Sequence, residues 1–202
     1  MSTIYNREKV LQSRLNTFIQ ERFDLPKEDY YSRLNQNSLG ELKSVLNDIN
    51  SIFTLRVSLA FVNWLGQTVG LSAGACEAIK SLVLQKSPHA NGYDVEISNP
   101  IRVIAEVKCN IPINRGDKYG SQQVSGIQKD INSLMSGKTK SQMKPDECLK
   151  FLVLLDTPEI RDATQRIVKK IKQHSENIVF TEAGTKPERR DKVYIVYVNI
   201  EA

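Results

Sequence analysis

The chain has 202 residues, 40% hydrophobic and 25% charged, with a formal net charge of +5: room for one sizeable domain, or one domain with a helical extension, of ordinary globular composition. No apolar run is long enough for a membrane span, because the best stretch, 55–71, is broken by Ser58, Asn63, Gly66, Gln67 and Thr68, and the start MSTIYNREKVLQ has no apolar signal core. Cys76, Cys109 and Cys148 are too scattered for a disulfide framework or a zinc site, so a cytoplasmic protein without membrane contact is expected.

Residues 4 to about 90 read as helical. Val10, Leu11, Leu15 and Phe18 keep helical spacing, and Asp24-Leu25-Pro26 ends that helix. Ser38-Leu39-Gly40-Glu41 has the form of a capping box. Leu39, Leu42, Val45, Leu46, Ile49, Ile52 and Phe53 then recur at three and four, giving one apolar face; Phe53 to Val69 is apolar nearly all round and predicts a buried helix. Ser72 to Lys86 predicts a short helix with Ala75, Ile79, Leu82 and Val83 inward.

At Ser87-Pro88 the period changes from 3.6 to 2. Tyr93 to Ile97 and Ile101 to Asn110 read as strands joined by the turn Ser98-Asn99-Pro100, an antiparallel hairpin. A helix from Ser121 to Met135 follows, with Val124, Ile127, Ile131 and Leu134 on one side. Leu149 to Leu155 predicts a central strand buried on both faces. Thr157 caps a further helix with Pro158 at its first position and Ile160, Ile167 and Ile171 as its stripe; Val193 to Ile200 is the last strand. This order predicts an α/β mixed sheet flanked by helices, residues 72–202, after an N-terminal helical segment, residues 1–71, in one compact unit.

The basic charge is concentrated. Residues 102–144 hold Arg102, Lys108, Arg115, Lys118, Lys129, Lys138, Lys140 and Lys144 against Glu106, Asp117 and Asp130, an excess equal to that of the whole chain. Such a segment suits a polyanionic partner, though a solvated basic face has the same composition.

Within it lies an unusual strand. Alternation puts Val103, Ala105 and Val107 on one face and Arg102, Ile104, Glu106 and Lys108 on the other. The hairpin brings Asp94 toward Glu106. Two carboxylates held together repel and call for a cation. A hard divalent ion such as Mg²⁺, with Mn²⁺ as a substitute, is held by a few carboxylates, here Asp94 and Glu106, with the backbone carbonyl of Val107 as a further oxygen donor. Lys108 beside it would orient or help deprotonate a water, or stabilise a phosphate oxygen. That set suits phosphodiester hydrolysis.

Asp94, a turn, then Glu106-Val107-Lys108 resembles the motif of the PD-(D/E)xK nuclease superfamily, which includes most type II restriction endonucleases, several repair nucleases and junction resolvases. The resemblance covers about residues 72–157 and departs from the pattern at Tyr93, where the name-giving proline would stand. It implies a restriction-endonuclease-like sheet, Asp94 and Glu106 as metal ligands and Lys108 as the catalytic lysine. Glu77 is the candidate for the extra helix carboxylate of some members. Gln122, Gln123 and Lys129 are candidates for the polar residues many members carry on the following helix. Arg115, Lys118, Lys138 and Lys140 would join these in contacting DNA.

The function so implied is a Mg²⁺-dependent endonuclease cutting double-stranded DNA at a short specific site as a homodimer, its N-terminal helices serving dimerisation or clasping DNA. The alternatives are a repair or junction nuclease of the same fold, a non-catalytic DNA-binding protein, and an unrelated α/β domain whose charges are incidental.

Overall fold

The computed structural model describes residues 5–87, 91–113, 116–171, 175–182 and 184–200. Contacts divide the chain into two units, Met1–Ile49 and Asn50–Ala202. The division falls inside a long helix, upstream of the 71/72 boundary drawn from sequence.

In the N-terminal unit, helix α1 (Arg7–Phe23) is capped by Asn6, whose side chain accepts from the Lys9 N–H at 3.0 Å, and ends at Asp24 in the left-handed region, φ 50°. The loop after it is tied back, because Gln12 and Asn16 donate to Asp29 at 2.8 and 2.9 Å. Helix α2 (Gln36–Val69) starts earlier than its expected cap. The reciprocal pair is Asn35 with Ser38: the Ser38 N–H donates to Asn35 Oδ1 at 3.0 Å, and the Asn35 N–H to Ser38 Oγ at 2.8 Å. Ser38 thus works from inside the first turn, because asparagine caps as well as serine. No described side chain of this unit is buried.

The second unit is a five-stranded mixed sheet flanked by helices. Its strands are β1 (Val95–Ile97), β2 (Val103–Lys108), β3 (Leu149–Leu155), β4 (Ile178–Phe180) and β5 (Val193–Val198), in the order β1-β2-β3-β5-β4. β1 runs antiparallel to β2, as the hairpin predicts; the remaining neighbours are parallel. One face carries the C-terminal half of α2 and α3 (Ala73–Gln85): Val57, Phe61, Val62, Leu65 and Ile79 pack with Val103, Ala105, Val107, Phe151 and Val153. The other face carries α4 (Ser121–Ser136) and α5 (Pro158–Val168), whose Ile127, Ile131, Leu134, Ile160 and Ile167 pack with Ile104, Leu152, Leu154 and Ile195. Thr157 caps α5 as predicted, accepting from the Ile160 N–H at 3.3 Å.

Three expectations change. Leu82 is 60% exposed, because α3 commits only Ile79 fully to the sheet. The stretch from Phe53 to Val69 is buried along one stripe rather than all round, since a helix lying on a sheet meets it along one side. By length and composition α2 is also apolar enough to cross a membrane, with mean hydropathy 1.3 over its best window, 22% of which is buried. Strand β4, a three-residue edge strand too short to show alternation, adds to the four strands read from the sequence.

Candidate functional site

The β1–β2 register pairs Val95 with Ala105. One step further along, Asp94 stands opposite Glu106, just beyond the end of the ladder. There the Asp94 side chain takes the place of a strand partner: its Oδ2 accepts the Val107 N–H at 2.7 Å. The N–H and C=O of one strand residue point to the same edge, so the Val107 carbonyl faces the edge that carries Asp94.

The alternation read from sequence holds. Val103, Ala105 and Val107 enter the core beneath α2 and α3, while Ile104 enters the opposite core. Glu106 and Lys108 therefore project on the α4 side, where each meets an oppositely charged partner. Lys138 pairs with Glu106. Lys108 pairs with Asp130 at 2.7 Å. Lys138 also donates to the Gly92 carbonyl at 2.7 Å and stands 5.1 Å from the Tyr93 ring centre.

These are expensive charges to place here. Glu106 is 4% exposed and Asp130 9%. Burial, with help from the neighbouring carboxylates Asp94 and Asp130, pushes the Glu106 carboxyl up to about 7, although Lys138 pulls the other way. Burial also raises Asp130, against the pull of Lys108. For Lys108 burial works to lower the pKa, but Asp130, Asp94 and Glu106 outweigh it and the net shift is upward. Lys108 is thus held as an ammonium ion. Glu106 Oε1 and Asp130 Oδ2 have no oriented hydrogen-bond donor beyond these lysine contacts.

The helix residue that reaches the site is Asp130, which the sequence reading passed over. Its signal was available: it is the one carboxylate among Val124, Ile127, Ile131 and Leu134 on the helix's inward side. The expected helix candidates lie elsewhere. Gln122 and Lys129 are exposed. Gln123 is consumed by the start of α4, accepting from the Gly120 N–H and donating to the Ile111 carbonyl, both at 2.9 Å. Glu77 is exposed and pairs with Lys80 at 2.8 Å. Lys118 and Lys140 are exposed, while Lys138 lies inside the carboxylate cluster. Arg115 lies outside the described residues. Tyr93 is wholly buried, its hydroxyl donating to the Ser133 carbonyl at 2.9 Å.

The donors Asp94, Glu106 and the Val107 carbonyl are hard oxygens of the kind Mg²⁺ takes, and the ammonium of Lys138 marks where positive charge is needed. Among the described residues no three His, Cys, Asp or Glu side chains converge as a ready metal cluster. Asp94, Glu106 and the Val107 carbonyl are the groups that would hold a divalent ion, and Glu106 would have to exchange Lys138 for it. A cleft of about 440 Å³ lined by Thr54, Ser58, Lys86, Tyr93 and Asp94 adjoins the site. A larger one of about 810 Å³, lined by Arg56, Trp64, Cys76, Tyr197 and Asn199, contains none of its residues.

No protein-family model, no curated protein and no solved structure matches this chain.

Proposed function

We propose that the chain is a Mg²⁺-dependent DNA endonuclease with a restriction-endonuclease-like fold, most like a type II restriction enzyme acting as a homodimer on a short duplex site. The observation that carries this reading is the placement of Asp94 opposite Glu106 across the hairpin, with Lys108 on the same face of β2 and the reverse face committed to the core. An incidental charged face would be solvated; this one is buried and internally paired. The antiparallel hairpin followed by a helix and a parallel strand is consistent with such a fold.

In this reading Asp94 and Glu106 hold the ion, which when bound would lower the pKa of a water and polarise the scissile phosphate. Asp94 is fixed in advance by the Val107 N–H. Lys108, kept protonated by Asp130, orients the nucleophile's oxygen or neutralises charge growing on the phosphate; a lysine so paired does not serve as the proton acceptor. Lys138 is the cation that Glu106 exchanges.

The test is incubation of mixed plasmid DNA with the protein, with and without Mg²⁺. Discrete Mg²⁺-dependent bands support a site-specific enzyme, and a smear points to a repair or junction nuclease. One observation favours a second reading, a DNA-binding protein without catalysis: both lysines already neutralise the carboxylates, which stabilises a cluster that holds no metal. Unchanged plasmid together with measurable DNA binding would favour it.

A further inference from the structure

The candidate site lies at the carboxyl end of β2. Strands β2, β3, β5 and β4 run parallel, so their carboxyl ends share one edge of the sheet, the edge at which open α/β sheets take ligands. Lys108, Leu154 and Tyr197 pair in one row across β2, β3 and β5. Tyr197 therefore stands two strand spacings, about 10 Å, from Lys108. Two clefts open beside it. The larger, about 810 Å³, runs between α2 and the end of β5; the smaller, about 420 Å³, reaches the segment 181–186. Trp64, Gln67 and Tyr197 line both.

This shared wall is fixed in advance. The Trp64 indole stacks on Phe61, ring centres 5.9 Å apart at 19°, and meets the Phe151 ring edge-on at 5.9 Å and 74°. It is only half-buried, and the rest of it faces the clefts. On the α5 side the Arg161 guanidinium lies 4.3 Å from the Tyr197 ring centre. Asp156 holds it there, accepting from Nε and a terminal nitrogen at 2.5 and 2.8 Å. Asn63 and Gln67, both exposed, stand one turn apart on the same side of α2. Cations lie to both sides of the shared wall: exposed Arg56 lines the larger cleft alone, and exposed Lys186 the smaller alone. Among the described residues Glu182 is the one carboxylate lining either cleft.

We infer that the paired clefts bind one unpaired nucleotide within a strand of DNA, its base on Trp64, its edge toward Asn63 and Gln67, and its two neighbouring phosphates toward Arg56 and Lys186. A flat aromatic platform beside cations is how a strand without pairing is held, because every base has a face to stack. The two amides offer donors and acceptors to a base edge. In a duplex that face and that edge are already covered, so the nucleotide bound here is single-stranded or turned out of the helix. A free mononucleotide carries phosphate on one side only, whereas cations flank this wall on both. An apolar ligand would leave the amides and cations of the walls unanswered.

This deepens the nuclease reading, on which it rests for DNA as the ligand, by placing an unpaired nucleotide along the same sheet edge as Lys108. Trp64 is the only tryptophan of the chain, so its fluorescence reports this wall alone. The full chain is titrated, without a metal ion, with a single DNA strand of about ten nucleotides, with the blunt duplex of the same sequence, and with dAMP. The single strand should quench Trp64 saturably, the duplex far less, and dAMP only at much higher concentration. Arg56→Glu and Lys186→Glu, both at exposed positions, should each weaken binding of the single strand about tenfold and lower its salt dependence by about one phosphate contact. No quenching, equal quenching by the duplex, saturation by dAMP at the affinity of the strand, or binding indifferent to both variants would each overturn the proposal. Quenching by a protein that never cuts plasmid would uphold this cleft and remove the nuclease; Mg²⁺-dependent cutting without quenching would do the reverse.

Discussion

Lys108 on β2 and Asp130 on α4 close an ion pair of 2.7 Å between the strand that carries the Glu-x-Lys triplet and the helix that follows it. Both groups are largely removed from solvent, so each needs the other. Asp130→Asn leaves the ammonium of Lys108 without its counter-charge. We expect a loss of about 1–3 kcal/mol in stability, measured by urea unfolding, and a fall in cleavage of about tenfold with an altered pH profile as the Lys108 pKa drops. If Asp130→Asn is as stable and as active as wild type, the pair is decoration.

Asp94→Asn and Glu106→Gln each remove the charge of a proposed metal ligand with little change in volume. Each should abolish Mg²⁺-dependent cleavage while leaving DNA binding measurable by gel shift in Ca²⁺. Asp94→Asn also weakens the acceptor for the Val107 N–H, so it should cost somewhat more stability than its partner. Wild-type cleavage by either variant would remove the metal assignment.

The Glu106 carboxyl is raised from an ordinary value of 4.5 to about 7. Between those two pH values the folded protein keeps a proton that the unfolded chain has lost. Stability must therefore fall as pH rises through this window, by about 3 kcal/mol in all. Glu106→Gln should flatten that part of the profile. Mg²⁺ requires the ionised carboxylate, so the rise in melting temperature it produces should grow as pH passes about 7. The same slope in wild type and Glu106→Gln would assign the effect to another group.

Lys108→Ala separates catalysis from binding. A group that acts on charge developing in the transition state should cost cleavage on the order of 100-fold or more, with a much smaller loss of binding in Ca²⁺. Lys140→Ala, exposed and outside the cluster, should show the reverse: a modest loss of binding, a shallower salt dependence and near-normal cleavage at saturating enzyme. Similar behaviour of the two variants would reduce Lys108 to one phosphate contact among several.

Much of the sheet is written in local pattern. The run from Leu149 to Leu155 announces a strand covered on both sides, and it lies at the centre of the sheet. Period-2 alternation from Val103 to Lys108 assigns each side chain its face, because the pleat turns successive residues to opposite sides. The hairpin turn between the first two strands sets Asp94 opposite Glu106 from sequence distance alone. Thr157-Pro158 marks a helix start because capping is a contact between near neighbours.

What lay beyond the sequence are partners brought together over distance. Asp130 and Lys138 are ordinary charged residues in a basic segment until α4 packs on β2; only then does burial leave Glu106 and Lys108 needing counter-charges that those two supply. Strand β4 exists because β5 offers it an edge, and three residues carry no period of their own. The stripe from Leu39 to Ile52 was legible as apolar and helical, but whether it faced a core or solvent was not. Periodicity records that a helix has an apolar side, and only packing determines what covers it.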